Sequence, residues 1–141
     1  MEITRNPRHS ERGPANRFTG SVRLDEIAAP AEPSRLRLYS VHFAPGSRTS
    51  WHRHPHGQVL HVTEGRGLVQ CEGGPVEEIR AGDTVWIEAD EKLPQPSAGR
   101  YPPHGAGART FMTPLGLVEA AADGTTAEWD ALVGDDAYPA A

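Results

Sequence analysis

Apolar positions along this chain come in short runs with the two-residue period of half-buried strands, and glycine or proline breaks the runs about every ten residues. Arg35–Phe43 is the clearest run, with Leu36, Leu38, Tyr39, Val41 and Phe43 ahead of a Pro45-Gly46 turn. Further strands are predicted over Thr49–His54, Gln58–Thr63, Leu68–Glu72, Val76–Ile79 and Thr84–Ile87, and Phe18–Ile27 holds one or two more. Turn residues separate them at Pro55-His56-Gly57, Glu64–Gly67, Gly73-Gly74 and Ala81-Gly82-Asp83. Residues 88–108 break the rhythm with four prolines and read as one long irregular loop. Strand character returns over Arg109–Val118. Thr126 then stands as an N-cap ahead of Trp129, Leu132 and Val133 at helical spacing, which predicts a short C-terminal helix. Residues 1–17, polar and broken by Pro7, Gly13 and Pro14, read as an arm that is flexible or swapped onto another copy, leaving 18–141 as the folded domain. Many short strands, no βαβ alternation and one late helix predict an all-β jelly-roll barrel.

Composition narrows the partners. A length of 141 residues suits one domain, and 15 glycines with 13 prolines suit tight turns better than helices. The net charge of −5 and the lack of a basic stripe exclude nucleic acid. No apolar run approaches the roughly 20 residues of a membrane span. The N-terminal arginines Arg5, Arg8, Arg12 and Arg17 are not followed by the apolar stretch of a secretory signal. The single cysteine, Cys71, can form no intrachain disulfide and reads as a small buried residue. A cytoplasmic protein acting on a small molecule is expected.

The chemistry concentrates in the histidines, five of which fall between His42 and His61. Alternate residues of a strand share a face, so His52 and His54 point together while Trp51 and Arg53 point away. After the turn, Gln58, Leu60 and Val62 share one face. With Gln58 facing inward, two imidazoles and a carboxamide aim at one point, a donor set for a divalent metal. The same parity sends Tyr39, Val41, Leu60 and Val62, with Leu115 and Leu117, toward a cavity, where Thr49 is placed to hydrogen-bond a substrate. Tyr39, Val41, Thr49 and Leu60 are therefore the candidate substrate-binding residues. His42 and His61 fall on the other face as structural residues, His56 sits in the turn, and Trp51 and Trp86 pack outside the cavity.

The spacing Gly46-x5-His52-x-His54-x3-Gln58-x6-Gly65 resembles the first metal-binding motif of the cupin superfamily, with Gln58 where many members carry Glu. Gly13-Pro14-Ala15, Phe18-Thr19-Gly20, Thr49–His52, Gly73–Ile79 and Gly82–Trp86 are similar to stretches of the small single-domain bacterial cupins that include the manganese-dependent hydroxynitrile lyases. The likeness runs from Gly13 to Tyr138. It implies a double-stranded β-helix with a metal deep inside, assembled as a homodimer or homotetramer. Mn(II) is the ion implied first; Fe(II), Ni(II) and Zn(II) also suit mixed nitrogen and oxygen ligation. The second motif departs from the pattern. Its histidine ligand falls in register on Leu93, whereas the related lyases carry a His-x-His-Gly-Ala run there. His104-Gly105-Ala106 matches the end of that run and puts Pro102 at the ligand position. His104 is then either a further metal ligand or the catalytic histidine that moves a proton beside the substrate; it cannot be both. Pro114 stands where another substrate-side histidine is expected. The activity implied is a metal-dependent lyase reaction on a small organic molecule. Polyketide cyclase or oxygenase chemistry, and a non-catalytic cupin with a degenerate second motif, are the alternatives.

Overall fold

In the computed structural model, which describes residues 1–5, 9–71, 74–89 and 104–136, the two-residue periodicity becomes twelve strands, with no helix among the described residues. They are β1 (Ser10–Arg12), β2 (Phe18–Thr19), β3 (Val22–Ala28), β4 (Leu36–Phe43), β5 (Arg48–Thr49), β6 (His52–Arg53), β7 (Gln58–Gln70), β8 (Val76–Arg80), β9 (Thr84–Ile87), β10 (His104–Ala106), β11 (Met112–Glu119) and β12 (Glu128–Trp129). Ten of them form one curled antiparallel sheet in the order β1-β3-β4-β11-β7-β10-β5-β2, with β8 and β9 also on β7; β6 and β12 pair separately. Inward residues from both halves, among them Phe18, Val41, Phe43, Val62, Val69 and Met112, form the main core.

Strand β7 belongs to both halves of the barrel. Its first half pairs with β9 and β11 and its second with β8 and β10. The turn expected at Glu64–Gly67 is therefore a bend inside one continuous strand. The glycines there redirect the chain without reversing it, because each half finds its own partners. Gly65 sits at φ +74°, and a side chain on it would run into the Phe111 carbonyl. Gly65→Ala should lower stability by at least about 2 kcal/mol through left-handed strain and this clash, read as a drop in the urea midpoint. An unchanged midpoint would show that the bend does not need glycine.

Three other expectations are corrected. The C-terminal segment from Thr126 is extended, not helical: Glu128 pairs with Arg53 and Trp129 with His52. The Asp130 N–H donates to the Trp51 carbonyl at 2.8 Å, and the Trp51 N–H to the Ala131 carbonyl at 3.1 Å. The open edge of β6 offers backbone partners that a helix would forgo. Buried Arg48 then clamps the tail, donating to the Val133 carbonyl at 2.7 and 3.0 Å and to Asp135 at 2.7 Å. Second, His104–Ala106 is not loop: it forms β10, which enters the sheet between β7 and β5. Leu93, Pro102 and the rest of 90–103 lie outside the described residues, as does Gly73 of the expected hairpin turn. Third, Cys71 is exposed, not buried.

The inward face of β11 also differs from expectation. Gly116 lies opposite Leu60 and Val118 opposite Gln58, so Gly116 and Val118 face the cavity, while Leu117 is exposed on the outer face. Large leucines would fill the space. A Cβ on Gly116 would already lie 3.2 Å from the Gln58 amide nitrogen.

Candidate metal centre and active site

The paired strands carry all four candidate metal ligands to one cavity of about 270 Å³. His52 is on β6, His54 follows it, Gln58 opens β7 and His104 opens β10. The His52 ring centroid is 4.9 Å from that of His54 and 5.4 Å from that of His104. Tyr39 and Val41 of β4, Thr49 of β5 and Leu60 of β7 line the same cavity. Thr49 accepts the backbone N–H of His104 at 3.2 Å, which ties β5 to the third histidine and leaves the threonine O–H to donate.

Hydrogen bonds set the tautomers. His52 Nδ1 lies 2.9 Å from the Ser50 carbonyl and His54 Nδ1 lies 2.7 Å from the Thr126 carbonyl. A carbonyl can only accept, so both Nδ1 atoms carry the proton and both Nε2 atoms present lone pairs. Burial pushes the His52 pKa down to about 3, with the neighbouring His54 adding to the effect and the Ser50 carbonyl opposing it. Burial also lowers His54, against the Thr126 carbonyl and Gln58, and holds His104 well below the usual range with help from His52 and His54. All three imidazoles are thus neutral at pH 7.

What remains is a set of buried polar atoms with nothing to answer them. His54 Nε2, Gln58 Oε1 and His104 Nδ1 are buried without a hydrogen-bond partner, as is Ser50 Oγ. Each such atom costs about 1–3 kcal/mol unless something answers it. Gln58 lies close enough to His54 to favour its protonated form. In the neutral site, however, both facing atoms are acceptors and no bond joins them. Uncharged lone pairs gathered on one cavity suit a cation. Among the described residues no group of three or more His, Cys, Asp or Glu side chains is disposed to hold an ion, so a coordinating set needs the Gln58 amide beside the imidazoles.

The remaining histidines keep to the outside. His42 bonds Asp25 at 2.9 Å and Thr113 at 3.3 Å, and His61 bonds Thr84 at 2.8 Å. Trp86 is exposed and Trp51 packs beside Leu68 and Val133, away from the ligands. Three contributors escape sequence reasoning. Trp129 stacks on His52 at 4.6 Å and 22°, the Thr126 carbonyl orients His54, and Arg17 lies over the Trp129 ring. No local pattern marks them, and the helical spacing around Trp129 points to a helix that does not form.

A curled antiparallel barrel with histidines and an amide aimed inward from adjoining strands defines a class of small β-barrels built around a ligand cavity. This chain belongs to that class as a member of the cupin family: the cupin domain family matches residues 39–92. An (R)-mandelonitrile lyase of Granulicella tundricola is 44% identical over 139 residues, covering 98% of each chain. A cupin-like protein of Thermotoga maritima superposes with a TM-score of 0.79 at 29% identity, over 96% of this chain and 95% of that one. The polyketide cyclase of Streptomyces resistomycificus shares the fold, with a TM-score of 0.65 at 17% identity over 83% of this chain and 77% of that one.

Proposed function

We propose that this cupin is a metal-dependent carbon–carbon lyase that cleaves small cyanohydrins such as mandelonitrile. The observation that carries the reading is the trio of buried, unpartnered polar atoms His54 Nε2, Gln58 Oε1 and His104 Nδ1 on one cavity. The similarity to a mandelonitrile lyase supplies the substrate class. His52, His54 and Gln58 would hold the ion, with Mn(II) the first choice and Fe(II), Ni(II) and Zn(II) suited by the same donors. Bound there, it would supply Lewis acidity toward the substrate oxygen. Every donor is neutral, so the site favours an oxygen that gives up its proton.

His104 is assigned as the proton acceptor. Kept neutral by burial, the ring takes the hydroxyl proton of the cyanohydrin on Nδ1 in the tautomer that leaves this nitrogen free. The carbon–carbon bond then breaks and its electron pair leaves with cyanide. The proton held on His104 passes to the cyanide, which departs as hydrogen cyanide and leaves the aldehyde. Thr49 donates a hydrogen bond to the substrate, and Tyr39, Val41 and Leu60 form the wall against its organic body.

The deciding measurement is elemental analysis of protein purified without oxygen or chelator, beside benzaldehyde release from mandelonitrile. Stoichiometric transition metal with turnover supports the lyase. Metal without turnover makes the protein a binding cupin, and protein that takes up no metal ends the proposal. His104→Leu should reduce turnover by about 10²–10⁴. In metal-free protein the same change should leave stability unaltered or raise it by about 1 kcal/mol, because it removes an unanswered buried nitrogen. A large loss of stability would instead make His104 a structural residue.

A further inference from the structure

The rim of the cavity carries a charge that cyanohydrin cleavage does not use. The protein as a whole is acidic, at −5. Yet the cavity is lined by two guanidiniums, Arg12 and Arg17, against one carboxylate, Glu11. Arg17 is held firmly at its backbone. Its N–H and that of Phe18 both reach the Pro14 carbonyl, at 2.9 and 3.0 Å, and its own carbonyl accepts the Ser50 N–H at 2.7 Å. This fixes Arg17 beside the segment that leads into His52. Its guanidinium carbon lies 5.4 Å from the Trp129 ring centroid, and Trp129 in turn stacks 4.6 Å from His52. Among the described residues Arg17 makes no ion pair.

These contacts place a cationic fork at the mouth of the cavity and imidazoles at its floor, with the Trp129 indole packed between Arg17 and His52. Phe18, Val41, Leu60 and Val118 complete an apolar wall. The volume, about 270 Å³, exceeds the roughly 150 Å³ that suffices for a benzene ring in an apolar cavity. A planar guanidinium is the side chain best suited to grip a carboxylate through two parallel hydrogen bonds.

We infer that this cavity binds small aromatic carboxylates, with the carboxylate on Arg17 at the mouth and the ring against the apolar wall of Val41, Leu60 and Val118. Such acids are a ligand class distinct from neutral cyanohydrins. The inference uses the same cavity as the lyase reading but requires neither a metal nor turnover, so the two stand or fall separately.

Calorimetric titration of metal-free protein at pH 7 with benzoate and with benzamide, its uncharged isostere, tests it. Benzoate should bind at least tenfold more tightly than benzamide, and its affinity should fall as salt is raised. Arg17→Ala should abolish that preference and leave benzamide affinity unchanged, while Arg17→Lys should keep part of it. Arg17 is exposed, so the variant's urea midpoint should match the parent's and exclude a folding defect. Equal affinity for acid and amide overturns the inference, as does binding of neither. Preference retained in Arg17→Ala, or lost in Arg12→Ala alone, overturns the assignment to Arg17.

Discussion

His52→Ala is expected to abolish metal retention and mandelonitrile turnover together, each by at least about 10³-fold. Removing an outer hydrogen-bond partner of a ligand commonly costs 10–100-fold in metal affinity or activity, so removing the ligand itself costs more. The set proposed here has little redundancy, since a neutral carboxamide is a weaker donor than the imidazole it accompanies. The backbone makes His52 hard to replace. Its Nδ1–H is fixed on the Ser50 carbonyl and its ring is stacked on Trp129, which holds Nε2 in one direction. His56→Ala is the control. His56 lies in the turn after the His pair and is not among the cavity residues, so metal content and turnover should stay at the parent's level. Retention of both properties in His52→Ala would mean that the ion sits elsewhere.

The second large effect is acid lability of the metal-free protein. In the unfolded chain each histidine titrates at about 6.5. In the folded chain His52 is pushed to about 3, and His54 and His104 are lowered as well, all mainly by burial. Below pH 6.5 the unfolded chain therefore takes up protons that the folded one refuses, and unfolding gains. Their contribution is fully present above about pH 6.5 and is lost as pH falls toward the folded values. Each proton is worth about 1.4 kcal/mol per pH unit, so His52 alone removes about 3 kcal/mol between pH 6.5 and pH 4.5, and His54 and His104 steepen the fall. A loss of that size is a large share of the roughly 5–15 kcal/mol stability of an ordinary domain. Urea unfolding between pH 8 and pH 4.5 should show a plateau above pH 7 and a steep fall below 6.5. His104→Leu should make the fall shallower, because it removes one of the three protons. A flat profile across this window would show that the imidazoles are not held neutral.

Much of the candidate site is legible in the amino-acid sequence, because its signals are local. His52 and His54 share a face through the two-residue period, Tyr39, Val41, Leu60 and Gln58 follow from the same parity on neighbouring runs, and Thr49 stands just ahead of the pair. All of them line the cavity. His104 requires the family likeness, since it sits at the end of a stretch with no periodicity. Parity on β11 favours Leu115 and Leu117 because apolar bulk suggests an inward residue. In this barrel the inward positions are Gly116 and Val118, because the cavity needs room beside Gln58.

The amino-acid sequence by itself determined the alternation that makes an all-β barrel and the spacing that turns two imidazoles the same way. Both are properties of residues a few bonds apart. Tertiary structure decided the rest. It kept β7 continuous through Gly65, laid the tail along β6 instead of coiling it, and brought Trp129, Thr126 and Arg17 to the histidines. Those outcomes depend on which strand edge is open and what covers it, and no short window of sequence contains both partners of such a contact.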